Sequence, residues 1–447
     1  AGLIGEREDS PNVRHALRLA AERGVKVEIR THPDSDRNPN TVSMELVRGE
    51  RSYAVTGVSV GGGEIEMTGL EGFPICLRGN EDGALFIGSD GLERSVFEER
   101  LGALSGFSCV KEGGRALYVC LAEKPFPDGM DMPGLEMFPV RNILGSRLAD
   151  AEPLFSTLAA MAEMAGDDLP GLIEHYEARR SGTDRDAIRA AVLGSWEIMK
   201  ASMTDGLAGK SDMLAGLVPG DAGFRLARRV ESGQALSGRA VGMAVARALA
   251  VMENNGSMRC VVAAPTAGAC GVLPGAFLSV AEERRLGDGA IVDGLLVAAA
   301  VGVLVAMRAP ISGAIGGCQS EIGVASAMTA AGLVQLGGGT PEQVIHAAAI
   351  ALKNLLGLIC DPVAGPVEIP CIKRNAVGVS NAFAAADMAL AGITSRIPPD
   401  EVVDALINVQ KLLHPDLRGN LRGGLASTAT GHALKDEWYA RMKRMQA

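Results

Sequence analysis

Long apolar runs from residue 140 onward are the feature that most constrains how this chain can fold. Many of them are rich in Ala and Leu and apolar on nearly every face, which is typical of the inner helices of a bundle. They cover residues 150–165, 185–205, 235–253, 289–308, 321–335, 341–356, 376–391 and 399–413. The run at Pro341 also has a helix-start signature, with Thr340 as the cap and Gln343 as its capping-box partner. The sequence therefore predicts one large all-α domain over residues 140–447.

A different pattern precedes this domain. Residues 12–23 have helical spacing, and residues 25–32 alternate like a strand. Three further alternating segments follow before residue 70, so we expect a small α/β domain over residues 1–70.

Residues 71–125 contain strand, helix, strand and strand patterns in that order, which predicts a second small βαββ unit. The stretch at 126–139 is rich in Pro, Gly and Asp and is interpreted as a linker. The predicted fold class is therefore α+β, with a small N-terminal α/β region followed by a large all-α catalytic domain.

The composition argues against nucleic-acid and membrane partners. The formal net charge is −10 and aromatic residues make up 4% of the chain. An acidic surface repels a phosphate backbone, and scarce aromatics offer few stacking platforms for bases. The most apolar stretch, Gly294–Met307, is shorter than the roughly 20 residues of a bilayer span and is expected to form a buried helix. The 8 widely spaced cysteines do not resemble a disulfide framework, so we predict a cytoplasmic protein with reduced thiols.

The glycine-rich segment APTAGACGVLPG at residues 264–275 is one candidate binding element. Small residues let the backbone approach a ligand closely, and successive amides can hold a carboxylate. Thr266 is a candidate for binding a substrate carboxylate, with Gly268 beside it, although Thr266 is equally suited to capping a helix. A tight turn between two packed helices explains the segment as well.

Three cysteines carry the strongest chemical signal. Cys318, Cys360 and Cys371 each lie at or beside a predicted helix end, next to Gly or Pro. Three thiolates can hold three irons of a cubane and leave the fourth iron open as a Lewis acid, and Arg374 would favour the ionised ligands. Zinc is the rival metal, but structural zinc sites usually contain a close pair of cysteines. From spacing alone, three buried core cysteines are as good an explanation.

At this point the motifs resemble a known family. GAIGGCQSEIGVASAM, CDPVAGPVEIPCIKRNAVG and APTAGACGVLPG are similar to the α-subunit of bacterial iron-sulfur-dependent L-serine dehydratases. The resemblance extends over about residues 180–432 and implies an all-helical domain in which Cys318, Cys360 and Cys371 bind a 4Fe-4S cluster. It also implies a lyase that converts L-serine to pyruvate and ammonia without pyridoxal phosphate.

The N-terminal region resembles part of the family's β-subunit. The similar stretches are NPNTV at 38–42 and GVSVGGGEIEMTG at 57–69, and residues 71–125 occupy the position of an ACT domain. The family's Ser-Ser-His-Thr and Gly-His-Gly-Thr-Asp stretches are absent from this sequence, and Asn38 stands where the family often has His. The order suggests β-like and α-like parts fused in one chain.

The resemblance leaves several residues as hypotheses. Thr266 and Lys353 are candidate catalytic residues, and Lys353 shares a predicted helix with His346, for which a surface position is favoured. The candidate substrate-binding residues are Thr266, Gly268, Gln319, Arg374 and Asn375. Competing functions are a 4Fe-4S lyase for another β-substituted amino or hydroxy acid and a non-catalytic iron-sulfur sensor. A large apolar helical domain is also compatible with a homodimer.

Overall fold

The computed structural model describes residues 1–446 apart from residues 8, 31–37, 39, 62, 128 and 144–152. Its contacts divide the chain into two compact units. The helical unit comprises Ala1–Asp34, Pro153–Ala178 and Thr183–Ala447, and the sheet unit comprises Ser35–Glu152 and Arg179–Gly182. These bounds differ from the four predicted segments, which remain a proposal about domain identity.

The described part of the sheet unit contains two four-stranded antiparallel sheets, with strand orders β1-β2-β3-β4 and β6-β7-β5-β8. The strands of the first sheet are β1 (Thr41–Arg48), β2 (Arg51–Gly61), β3 (Glu64–Leu70) and β4 (Phe73–Leu77). The second sheet contains β5 (Asp82–Ser89), β6 (Gly106–Glu112), β7 (Arg115–Ala122) and β8 (Glu136–Val140), and α2 (Arg94–Leu101) follows β5.

Strand β5 shows why the sheet unit is double-layered. Successive side chains of a strand point to opposite faces. Leu85 and Ile87 share a core cluster with Leu70 and Phe73 of the first sheet, whereas Phe86 packs against Phe97 of α2. A central strand that is apolar on both faces therefore joins the first sheet on one side and the helix on the other.

Two expectations for the N-terminal half are wrong. Residues 25–30 form no strand: Val25, Val27 and Ile29 are exposed and lack a partner strand among the described residues, while residues 31 and 32 lie outside the description. The predicted linker 126–139 ends inside β8, which pairs with β5 from Gly83↔Val140 to Ile87↔Glu136. Turn-forming composition gave no sign of this distant pairing.

The helical unit contains most of the helices predicted from the apolar runs. Its helices are α1 (Ala16–Glu22), α3 (Leu158–Met164), α4 (Leu169–Ser181), α5 (Arg185–Leu207), α6 (Ala222–Glu231), α7 (Gly238–Gly256), α8 (Val272–Arg284), α9 (Asp288–Ala306), α10 (Gly313–Gly316), α11 (Val324–Leu336), α12 (Pro341–Lys353), α13 (Cys371–Leu390), α14 (Pro399–Leu412) and α15 (Ala429–Gln446). The α+β class is confirmed, as is the capping box at Thr340 and Gln343. Helix α1 belongs to this unit, whereas strands β1, β2 and β3 belong to the sheet unit.

Helix α11 lies at the centre of the helical unit and packs against α8, α9, α12 and α13. Nearly all of its residues are buried, and many are Ala, Ser or Gly, which allow neighbouring helices to approach closely. Helix α9 is the one described helix with the length and hydropathy of a membrane span, with mean hydropathy 2.3, and 67% of that stretch is buried inside the protein. The expectation of a buried apolar helix at residues 294–307 is therefore confirmed.

Candidate functional site

Three interruptions between helices of the helical unit meet at one place. They are the glycine-rich segment before α8, the turn from α10 to α11 that contains Cys318, and the segment 360–371 between α12 and α13. Backbone hydrogen bonds hold two of them in place: the Gln319 amide donates to the Leu358 carbonyl at 2.9 Å, and the Cys360 amide donates to the Leu417 carbonyl at 2.8 Å. The segment that holds Cys360 is thereby fixed on both sides.

Cys318 directly precedes a π-helical turn, Gln319–Gly323, that leads into α11. Such turns are rare and occur frequently at functional sites. Gln319 is fully buried, and its side chain donates to the Gly316 carbonyl at 2.9 Å and accepts from the Gly357 amide at 2.8 Å. Gln319 therefore holds backbone around Cys318 in place, and the substrate contact predicted for it stays a prediction.

Two of the predicted cysteines converge with a glutamate. The Sγ atoms of Cys318 and Cys360 and a carboxylate oxygen of Glu321 all lie within 4.8 Å of one another. Cys371, the first residue of α13, lies outside this tight group, but burial together with the charges of Cys318 and Glu321 raises the pKa of its thiol. All three cysteines are buried, so their sulfurs face an enclosed region of the helical unit.

Arg374 connects Cys318 to the surrounding backbone. Its Nη1 lies 3.4 Å from the Cys318 Sγ and donates to the Ile359 carbonyl at 2.8 Å, while its Nη2 pairs with the Asp361 carboxylate at 2.7 Å. A hydrogen bond from the Cys360 thiol, and secondarily the Arg374 charge, lower the pKa of Cys318, while the same hydrogen bond and burial raise that of Cys360. Cys318 is therefore the thiol of this pair that ionises first.

Glu321 is held from two sides. The Thr266 hydroxyl donates to its Oε1 at 2.8 Å, and the Gly313 amide donates to the carboxylate as well. A Cβ at Gly268 would lie 3.1 Å from Oε1, and one at Gly313 would collide with Oε2 and lie 3.3 Å from the Cys360 Sγ. Burial raises the pKa of Glu321, against the effect of these hydrogen bonds. A side chain at Gly313 would therefore overlap the carboxylate, whereas one at Gly268 would make a tight contact with it.

Asn375 connects the glycine-rich segment to the start of α13. It is fully buried, and its Nδ2 donates to the carbonyls of Gly268 at 2.9 Å and Cys371 at 3.0 Å. Its Oδ1 accepts from the Gly271 amide at 3.1 Å. All of these contacts are with backbone, so Asn375 positions Cys371 relative to Gly268, and its predicted substrate contact is untested.

Lys353 has contacts of a different kind. Its Nζ donates to the Ser395 hydroxyl at 3.2 Å, and the Ser395 amide donates to Nδ1 of His346 at 3.2 Å. His346 also pairs through Nε2 with Glu342 at 3.0 Å. These side chains tie α12 to the segment before α14, and the contacts of Lys353 are with Ser395 rather than with the cysteines.

Sequence reasoning missed two acidic residues of this region. Glu321 had a signal, because it lies three residues after Cys318 in the same motif. Glu368 had none, although it is only 2% exposed and accepts four backbone hydrogen bonds, from the amides of residues 215–218 at 2.7–3.2 Å. It fixes that loop to the turn that leads into Cys371.

Comparison with known proteins matches this region to one family. The model of the family described as serine dehydratase alpha chain matches residues 147–426. A probable L-serine dehydratase alpha chain of Bacillus subtilis (strain 168) is 50% identical over 238 residues, covering 53% of this chain and 79% of the relative. The L-serine dehydratase alpha chain of Peptoniphilus asaccharolyticus is 40% identical over 267 residues, covering 60% of this chain and 91% of the relative. L-serine dehydratase TdcG of Escherichia coli (strain K12) is 38% identical over 275 residues, 60% of each chain.

Proposed function

The chain belongs to the serine dehydratase alpha chain family, and on that premise we propose that it is an L-serine ammonia-lyase that forms pyruvate and ammonia. The observation that carries the proposal is the convergence of the Cys318 and Cys360 sulfurs inside the matched region, with Cys371 buried beside them. Relatives with this family's name act on L-serine, and the same substrate is assigned here to this site.

Dependence on an iron-sulfur cofactor is typical of this family, and Cys318, Cys360 and Cys371 are proposed to hold a 4Fe-4S cluster. The donor set fits, since thiolates are the ligands of such clusters. A hydrogen bond from the Cys360 thiol and the Arg374 hydrogen bond to Cys318 favour ionised sulfur over the thiol at that residue, against the effect of burial. When bound, a cluster with one iron free of protein ligands supplies a Lewis acid that can polarise a substrate hydroxyl.

The protein's own residues have three tasks in this proposal. Arg374 keeps a positive charge beside Cys318 and holds that sulfur in one orientation through its second contact to Asp361. Thr266 and Gly268 are assigned to binding the substrate carboxylate on the sequence hypothesis; the Thr266 hydroxyl, which donates to Glu321 here, would change its partner to do so. Burial of the cysteines excludes water, which strengthens every electrostatic interaction within the site.

Loss of the α-proton and loss of the hydroxyl group are both unfavourable steps of this reaction. The α-proton of serine is weakly acidic and hydroxide is a poor leaving group, so both charges that develop need stabilisation. No residue is assigned as the general base. Lys353 is a candidate catalytic residue on the sequence hypothesis alone, and its contact with Ser395 gives that hypothesis no support.

The test is anaerobic expression, followed by iron and sulfide counting and a serine-to-pyruvate assay on the same sample. We expect wild type to contain iron and sulfide and to release pyruvate, and Cys318→Ser, Cys360→Ser and Cys371→Ser to lose both. Cys270→Ala is the matched control, because Cys270 is a fully buried thiol whose pKa burial raises to about 12 and whose Sγ contacts Met252.

Three outcomes separate the alternatives. Iron and sulfide without keto-acid release from any amino acid would refute the lyase and favour an iron-sulfur sensor. Release from threonine or another β-substituted acid in preference to serine would change the substrate. Full pyruvate formation by the three cysteine variants would refute the cofactor assignment.

A further inference from the structure

We infer that Cys318, Cys360 and Glu321 form a mononuclear binding site for a divalent transition-metal ion in the chain that has not assembled a cluster. The site would take zinc, cobalt or ferrous iron through two thiolates and one carboxylate. It goes beyond the proposed lyase activity, because it requires neither a 4Fe-4S cluster nor turnover of serine.

The spacing of the ligand atoms is the first argument. In zinc sites, sulfur lies about 2.3 Å and carboxylate oxygen about 2.0–2.2 Å from the ion, so two ligands of one ion are at most about 4.6 Å apart and about 3.8 Å apart in a tetrahedron. The Cys318 and Cys360 sulfurs and a Glu321 oxygen lie within 4.8 Å of one another in this structure, so side-chain shifts of about 1 Å would bring them to one tetrahedral ion. Cys371 is not part of this group, so the spacing places two of the three proposed cluster ligands together with Glu321.

The second argument is that Glu321 is preorganised. The Thr266 hydroxyl, at 2.8 Å, and the Gly313 amide hold its carboxylate, and the absence of a side chain at Gly268 leaves room for it. Ligating carboxylates in metal sites are in turn hydrogen-bonded, and those partners fix their orientation. Glu321 therefore has the outer contacts of a metal ligand, not only a suitable distance.

Charge is the third argument. Two thiolates and one carboxylate carry three negative charges in an enclosed site, and such charges are tolerated only when they are paired or coordinate a metal. One divalent ion offsets two of these charges, and the guanidinium of Arg374, which also pairs with Asp361, lies 3.4 Å from the Cys318 Sγ and stabilises the third in part. Binding replaces the two thiol protons, which are released to solvent, and no oxidant or reductant is needed.

A single metal ion and a cluster would compete for the same cysteines. An ion held by Cys318, Cys360 and Glu321 occupies two of the three sulfurs proposed for the cluster. We therefore expect zinc to compete with cluster assembly, while Glu321 takes part in binding the single ion only.

The test is titration of the metal-free, reduced full chain with Co²⁺ under anaerobic conditions, followed by the sulfur-to-cobalt charge-transfer absorbance. Wild type should bind one Co²⁺ with tetrahedral spectra. Glu321→Gln should weaken binding by at least about tenfold, in line with the effect of altering a metal's ligand environment, and Cys318→Ser by more. Cys371→Ser and Cys270→Ala should stay within about threefold of wild type, because neither residue lies in the ligand group.

Glu321→Cys keeps the test decisive should Glu321→Gln fold poorly. A thiolate at this position should restore binding and increase the charge-transfer intensity. Zinc added before iron and sulfide should block their incorporation into wild type, and a chelator should restore it.

Two results would overturn the inference: Co²⁺ affinity unchanged in Glu321→Gln, or affinity lost equally in Cys371→Ser and Cys318→Ser. Neither result depends on pyruvate formation, so failure here is distinct from failure of the proposed lyase activity.

Discussion

Replacing Glu368 with glutamine should destabilise the helical unit strongly, although the two side chains have nearly the same shape. Each Glu368 oxygen accepts two backbone amides: Oε1 those of Ala215 and Gly216 at 3.0 and 3.2 Å, and Oε2 those of Leu217 and Val218 at 2.7 and 3.2 Å. Glutamine keeps one acceptor oxygen and turns an NH₂ group toward the other two amides. Two backbone N–H donors then face the NH₂ group of the glutamine, which is itself a donor, inside the protein.

The magnitude follows from those two amides. A buried donor left without an acceptor costs about 1–3 kcal/mol, so the variant should lose about 2–6 kcal/mol. That is a large part of the roughly 5–15 kcal/mol by which a domain is stable. For a unit of this size, a loss near 4 kcal/mol lowers the melting temperature by about 10 °C.

The assay is urea and thermal unfolding of the metal-free, reduced protein, followed by far-ultraviolet circular dichroism. Glu231→Gln is the matched control, because Glu231 is an exposed carboxylate at the end of α6 and should change stability by less than about 0.5 kcal/mol. A Glu368→Gln variant within 1 kcal/mol of wild type, measured with an unchanged urea dependence, would refute the idea that these four hydrogen bonds hold the loop.

Four further predictions concern the same unit. Arg374→Lys should lower iron occupancy or pyruvate formation about 10–100-fold, as is typical for partners of metal ligands. The reason is that lysine cannot contact Cys318, Ile359 and Asp361 together. Iron analysis and kinetics would test this, and wild-type values would contradict it. Gly313→Ala should abolish metal binding while leaving the helical circular dichroism, because a Cβ would collide with the Glu321 carboxylate; an unchanged Co²⁺ spectrum would argue otherwise. Lys353→Ala should keep kcat within about threefold and lose about 1 kcal/mol of stability if its contact with Ser395 is its role. A loss of turnover by orders of magnitude would instead support Lys353 as a catalytic residue. Burial raises the pKa of Glu253 above 4.5, so the stability that its protonated form contributes is complete below pH 4.5 and is lost as the pH rises through the raised pKa. Glu253→Gln should therefore be less destabilised, relative to wild type, at neutral pH than at pH 4.5. Urea unfolding at both pH values tests this, and a larger loss of stability at neutral pH would contradict it.

Local patterns predicted the helices well because their signals are contained within each segment. The apolar runs of α9, α11 and α12 reveal burial without knowledge of partners, and the capping box at Thr340 is complete within four residues. By contrast, α8 begins inside the glycine-rich segment, which looks like a turn. Its glycines serve close packing: a Cβ at Gly275 would lie 2.5 Å from the Ala244 carbonyl oxygen of α7.

The features that sequence reasoning missed depend on partners far away in the chain. Strand β8 is explained by its pairing with β5, some 50 residues earlier, and residues 25–30 alternate suitably but have no strand to pair with among the described residues. Glu368 resembles any other glutamate until the loop at 215–218 is placed over it. At the candidate site, the motifs identified the cysteines, whereas the roles of Glu321 and Gln319 needed the contacts of their side chains.

The π-helical turn after Cys318 makes this bend sensitive to chain length. An α-helix advances about 100° per residue, so removing one residue from Gln319–Gly323 and restoring regular helix would swing Cys318 about 100° around the axis of α11. No rotamer change returns a sulfur across such an arc to its place beside Cys360. A single-codon deletion within this bend would therefore separate the two sulfurs.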